Sequence, residues 1–130
     1  MVGSWGNKLF FSVSDSKILT FDNFKRKISG EWATHSRAKD KDTSEFIRPG
    51  LQSVSFDMLF DATLGVRPRA MLDTLQRAVE TGEYNLLVIG NRRVGDYWWK
   101  ITDTSEAWEN IFNRGELVTA KVTVTMEEYL

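Results

Sequence analysis

The sequence predicts an α+β fold: a mostly antiparallel β-sheet or partly closed barrel of roughly seven strands, with one central amphipathic helix packed on a face. Two observations carry this. Two segments alternate strictly between apolar and polar residues, as half-buried antiparallel strands do. Between them lies one segment with a helical apolar stripe.

The first alternating segment is Ser53 to Asp61. Val54, Phe56, Met58 and Phe60 interleave with Ser53, Ser55, Asp57 and Asp61, and Leu59 is the exception. The second is Leu117 to Met126. Val118, Ala120, Val122, Val124 and Met126 face inward there, and Thr119, Lys121, Thr123 and Thr125 outward. The helix runs from about Pro68 to Thr81. Pro68 suits the first turn, where a missing N–H is no loss. Met71, Leu72, Leu75, Ala78 and Val79 form the stripe, and Gly82 stops the helix where a left-handed residue is wanted.

The remaining elements carry weaker signals. Lys8 to Val13 and Ile18 to Phe24 read as strands around the turn chemistry of Ser14-Asp15-Ser16-Lys17, which predicts an N-terminal hairpin. Glu31 to Thr34 is a short apolar piece around Trp32. Residues 36–45 hold one Ala and no larger apolar side chain, which predicts a projecting charged loop. Tyr84 to Ile89 and Tyr97 to Thr102 read as strands about Gly90-Asn91-Arg92-Arg93. Glu106 to Phe112 precedes the turn signal Asn113-Arg114-Gly115. There is no internal repeat.

A chain of 130 residues with 42% apolar content accommodates one domain, expected to span 1–130. Five Trp, eight Phe and three Tyr supply a core. The formal net charge of -1 gives no basic excess, so no nucleic-acid partner is expected. Without Cys there is no disulfide framework and no thiolate metal site, which is compatible with a reducing compartment. Met1 to Gly6 lacks the pattern of a signal peptide. The run Leu86-Leu87-Val88-Ile89 is far too short for a membrane span.

Motifs for chemistry are weak. His35 is the one histidine, and no nucleophile elbow accompanies it, so it reads as a surface or loop-base residue. Gly3 to Lys8 lacks phosphate-loop spacing, and Gly90 to Gly95 reads as a turn with solvated arginines. Asp40, Asp42 and Ser44 imitate the start of a calcium loop, but Glu45 and Leu51 stand where Gly and Glu are needed. Asp57 and Asp61 read as the wet side of their strand. Lys25-Arg26-Lys27 reads as a solvated strand edge. No catalytic, cofactor-binding or metal-binding residue is assigned.

The aromatic residues say more. Trp98 and Trp99 are adjacent, so on a strand they point to opposite faces. One enters the core; the other lies under a second layer or anchors an interface. Trp5, between Gly-Ser and Gly, is expected to dock outward. The expected contact residues are therefore Trp5, Trp98 and Trp99, with Arg37, Lys39, Asp40, Lys41 and Asp42 from the charged loop.

In order along the chain come Gly3-Ser4-Trp5-Gly6, Leu19-Thr20-Phe21, Trp32-Ala33-Thr34-His35, Pro49-Gly50-Leu51 and Leu59 to Pro68. Leu87-Val88-Ile89-Gly90, Trp99-Lys100-Ile101 and the closing Glu128-Tyr129 follow. This ordered series resembles the GpU-type phage tail family over nearly the whole chain. The resemblance implies a small structural tail protein of contractile phages or of phage-tail-like bacteriocins, with no catalytic residues. The expected role is a baseplate or tube-end subunit joining tail tube or hub to surrounding components in a ring. A terminator capping the head-proximal end of the tube is the alternative, and a small cell-wall hydrolase a distant third. The implied partners are other tail proteins (tube, hub, baseplate or tape-measure components) and further copies of the chain. Assembly in the bacterial cytoplasm into a virion tail or tail-like particle is expected with them.

Overall fold

The computed structural model describes residues 3–6, 9–11, 20–62, 67–111 and 117–130. The elements are β1 (Gly3–Trp5), β2 (Leu9–Phe11), β3 (Thr20–Lys27), β4 (Gly30–His35), β5 (Thr43–Pro49) and β6 (Ser53–Asp61). After them come α1 (Pro68–Thr81), β7 (Tyr84–Asn85), β8 (Leu87–Ile89), β9 (Arg92–Arg93), β10 (Trp98–Ile111) and β11 (Leu117–Tyr129). The fold is α+β and mostly antiparallel, as the sequence predicts. It has more strands than the roughly seven expected, because several are only two or three residues long.

The strands form three sheets, and the described residues close no barrel. The main sheet has the order β3-β6-β11-β10-β7, a smaller one β2-β1-β8-β9, and β4 pairs only with β5. The strict alternation on β6 and β11 sets the core. Their register places Val54 opposite Met126, Phe56 opposite Val124, Met58 opposite Val122 and Phe60 opposite Ala120. All eight are buried. Side chains of this kind contribute about 1.5–3 kcal/mol each when removed from water. Helix α1 covers this face with Leu72, Leu75 and Ala78, and Met71 and Val79 pack at its margin. Trp5, Leu87, Trp99 and Ile101 complete the same cluster. The opposite face carries Ser55, Asp57, Thr123 and Thr125, and it stays polar.

Helix α1 has the expected boundaries. It ends in a Schellman pattern: Gly82 has φ 67°, its N–H donates to the Val79 carbonyl, and the Glu83 N–H donates to that of Ala78 at 3.1 Å. Beyond it, Gly90 and Asn91, both at positive φ, join Ile89 to Arg92 in the two-residue turn whose twist suits a hairpin.

Four expectations change. Among the described residues the N-terminal hairpin is not the pairing observed: β2 pairs with β1, and β3 pairs with the interior strand β6, while the expected turn at Ser14 to Lys17 lies outside the described residues. The segment Tyr84 to Ile89 is not one strand. Tyr84–Asn85 bonds to β10 in the main sheet, and Leu87–Ile89 bonds to β1 in the smaller one, so the chain changes sheet at Leu86. The pieces Tyr97 to Thr102 and Glu106 to Phe112 merge, from Trp98 to Ile111, into the single strand β10, and Phe112 lies outside the described residues. Its register shifts after Ile101, Trp108 and Asn110 let it stay paired with β11 throughout. Residues 43–45 of the projecting loop belong to β5, because they pair with Ala33, Thr34 and His35. The turn at Asn113 to Gly115 lies outside the described residues.

Candidate functional site: an exposed hairpin arm and an aromatic edge

Strands β4 and β5 form a hairpin that contributes nothing to the core cluster. Almost every residue in it is exposed. A register shift after Glu31 sets Trp32 directly opposite Phe46, and their rings meet edge to face with centroids 5.1 Å apart. Trp32 is nevertheless 60% exposed and Phe46 50%, with Ile47 exposed beside them and Ile28 and Leu51 at the root. Aromatic side chains on a ribbon with no layer behind them among the described residues are an unusual use of apolar surface for a lone chain in water.

The arm is held in shape by polar pairs. Arg48 Nε meets Glu31 Oε2 at 3.0 Å, and His35 Nε2 meets Glu45 Oε2 at 3.0 Å. Both pairs are exposed, so each fixes geometry more than it adds stability. The root is tied more firmly. Ser29 and Gly50 meet through the Gly50 N–H and the Ser29 carbonyl at 2.9 Å. The Gln52 N–H donates to Glu128 Oε1 at 2.6 Å, and the Glu128 N–H donates back to the Gln52 carbonyl at 3.0 Å. Arg26 donates to the Gln52 side chain. The arm thus leaves a fixed point at the end of β11.

The charged loop residues Arg37, Lys39, Asp40, Lys41 and Asp42 lie at the arm tip, all exposed. Arg37 and Asp40 form a loose pair at 3.6 Å.

The tryptophans separate by environment. Trp98 and Trp99 point to opposite faces: Trp99 is wholly buried and Trp98 is 44% exposed. Trp98 joins Tyr84 and Tyr129 in a cluster at the β7 edge, with Tyr84 stacked on Tyr129 at 4.4 Å and edge-on to Trp98 at 5.6 Å. Lys100 lies over the Tyr129 ring.

Trp5 corrects the sequence reading. It is completely buried, and its Nε1–H donates to the Trp99 carbonyl at 2.9 Å. The flanking glycine that suggested flexibility serves close approach instead: a Cβ on Gly3 would collide with the Val88 carbonyl. Trp5 and Trp99 are therefore core residues, with no surface to offer a neighbour.

On the polar face of the main sheet, Asp57 accepts hydrogen bonds from Asn23 Nδ2 and Thr123 Oγ1, both at 2.8 Å. These bonds, Asn23's first and then Thr123's, hold its carboxyl below the ordinary 3.8 against an opposing desolvation, with Lys25 and Lys121 adding a weaker pull downward. Both oxygens are occupied, so the group braces strands β3, β6 and β11 together. Among the described residues, no group of three His, Asp or Glu side chains is placed to hold a metal ion, and no helix is long and apolar enough to cross a membrane.

Sequence reading missed Phe46, Ile47, Tyr84 and Tyr129. The available signal was a short apolar run, Phe46-Ile47, mirrored across a polar loop by Trp32, with no alternation to give either segment a core face. No curated protein sequence matches the chain. The family model described as Phage P2 GpU matches residues 9–130, so the chain belongs to that family and is a structural protein related to phage tails.

Proposed function

We propose that this protein is a subunit of a contractile phage-type tail, placed at the baseplate or tube end, where a ring of copies joins the tube or hub to surrounding components. The observation that carries this reading is the β4–β5 arm. A two-stranded ribbon with no core of its own is marginal in water, yet this one exposes Trp32, Phe46 and Ile47. Its partner in the assembled particle is another tail protein that covers the aromatic pair. Exposed Trp and Phe of this sort are typical binding hot spots, worth about 2 kcal/mol or more each once covered. Trp98 with Tyr84 and Tyr129 forms a second contact area, and the tip residues Arg37, Lys39, Asp40, Lys41 and Asp42 give the polar rim. The chain works as a single unit, as a scaffold rather than an enzyme, and it is incorporated while the particle assembles in the bacterial cytoplasm.

Electron microscopy of particles produced without this protein tests the reading. Tails lacking an organised baseplate are the expected result. Complete tails with intact baseplates would sink it, and tubes of irregular length with normal baseplates would move the protein to the head-proximal end.

A further inference from the structure

The near-zero net charge hides a segregation across the main sheet. At one edge, β3 carries Asp22 in its first half and then Lys25, Arg26 and Lys27 at its end, all exposed. Behind it, Arg26, Arg92 and Arg93 line a groove with Phe24, Ile89 and Val94. Among the described residues none of these five cations has a carboxylate in ion-pair range. At the other edge, β7 covers β10 only at Trp99 and Lys100. From Ile101 onward β10 has β11 as its only strand neighbour among the described residues. Among the described residues that stretch is open and carries Asp103 and Glu106, both exposed and without an ion pair, and Glu109, which meets Lys121 at 3.5 Å.

We infer that copies of this chain join head to tail through these edges, the basic β3 of one copy lying antiparallel to the acidic open stretch of β10 in the next. This rests on the ring proposed above and names its contact. Three features support it. First, β3 is antiparallel to β6, β6 to β11 and β11 to β10, so β3 and β10 run in opposite directions. A neighbour rotated about an axis along the strands continues the antiparallel alternation.

Second, the charges match by face. The rung Lys25, Ser55, Thr125, Asp103 places Lys25, Lys27 and Asp103 on the polar face. Arg26, opposite Val54, and Glu106, opposite Val122, lie on the helix-covered face. Without slip, Lys27 would meet the rung of Lys100, which β7 occupies. A slip of about two residues clears β7 and preserves both faces. It brings Lys27 beside Asp103 and Arg26 within one diagonal of Glu106.

Third, the same charges oppose the symmetric alternatives. A two-fold contact centred on Lys25 to Lys27, or on Asp103 to Glu106, sets like charges against each other, so these symmetric dimers are disfavoured while the heterologous contact is favoured. Repeated heterologous contacts close into a ring when the rotation between neighbours divides a full turn.

Sedimentation velocity on the full-length protein at low ionic strength is the test. The wild-type chain should self-associate, and added salt should weaken it. Lys25→Glu with Lys27→Glu, and separately Asp103→Lys with Glu106→Lys, should each weaken association by about tenfold or more. All four changes in one chain should restore it, as should mixing the two double variants. In a chain without Cys, Lys27→Cys with Asp103→Cys should give an oxidation-dependent ladder of disulfide-linked copies. The two positions lie three strand spacings apart within one chain, beyond disulfide reach. A wild-type chain that stays monomeric at low salt, single reversals without effect, or no rescue on combination would overturn the inference. Association lost on removing residues 30–49 but indifferent to the edge charges would overturn it while leaving the tail role intact. Edge-driven association alongside normal tails in particles lacking the protein would do the reverse.

Discussion

Trp5 and Trp99 bind the two larger sheets together. Trp5 comes from the small sheet and Trp99 from the main one, and the indole N–H of the first reaches the carbonyl of the second. Trp5→Ala should cost about 3–5 kcal/mol. Trp5→Phe, which keeps most of the packing but leaves that carbonyl without its indole donor, should cost about 1–3 kcal/mol. Urea midpoints read both. Trp98→Ala, by contrast, should change stability by well under 1 kcal/mol in the isolated chain and act on assembly instead. Asp57 gives a pH signature. Its folded pKa lies below its unfolded value, because Asn23 and then Thr123 donate to the carboxylate. The stability it adds is therefore full above the unfolded value and is lost as pH falls through the folded one. Denaturation midpoints of the wild-type chain should drop on acidification below about pH 4, and Asp57→Asn should flatten that slope while lowering stability at neutral pH.

At the level of elements, the arm and the helix are opposites. Helix α1 earns its place through buried Leu72, Leu75 and Ala78 and a left-handed stop at Gly82. Gly82→Ala should destabilise by about 1 kcal/mol in thermal melts, from backbone strain alone, since no atom lies within 4 Å of the added Cβ. The arm shares no core residue, and its ends already meet at Ser29 and Gly50. Excising residues 30–49 with a short linker should leave the melting temperature within a few degrees of wild type while blocking incorporation into particles. Trp32→Ser with Phe46→Ser should separate the two effects further: near-normal melting, with the protein absent from purified tails by immunoblot.

Over the whole molecule, the buried core and the surfaces proposed for association are separate. One cluster of buried side chains holds α1, the main sheet and β1 and β8 together. The β4–β5 ribbon, the Tyr84–Trp98–Tyr129 edge and the two charged strand edges lie outside it. A net charge of -1 gives almost no overall repulsion between copies, so local arrangement of charge decides how they meet. A tail component benefits from this division, because contacts to neighbours can form without repacking the interior.

The sequence by itself determined what depends on near neighbours along the chain. Alternation in Ser53–Asp61 and in the β11 segment fixed which side chains face inward, the apolar stripe with Pro68 and Gly82 fixed α1, and adjacency alone put Trp98 and Trp99 on opposite faces. The polarity of residues 36–42 marked the arm tip. Only the tertiary structure decided which strands meet. Alternation gives a strand its faces but not its partner, so the pairing of β2 with β1, the place of β6 between β3 and β11 and the change of sheet at Leu86 were not legible. Burial was hidden for the same reason. Trp5 is covered because β8 and β10 come to it from far along the chain, and Trp32 is exposed because, among the described residues, no layer covers the ribbon that carries it.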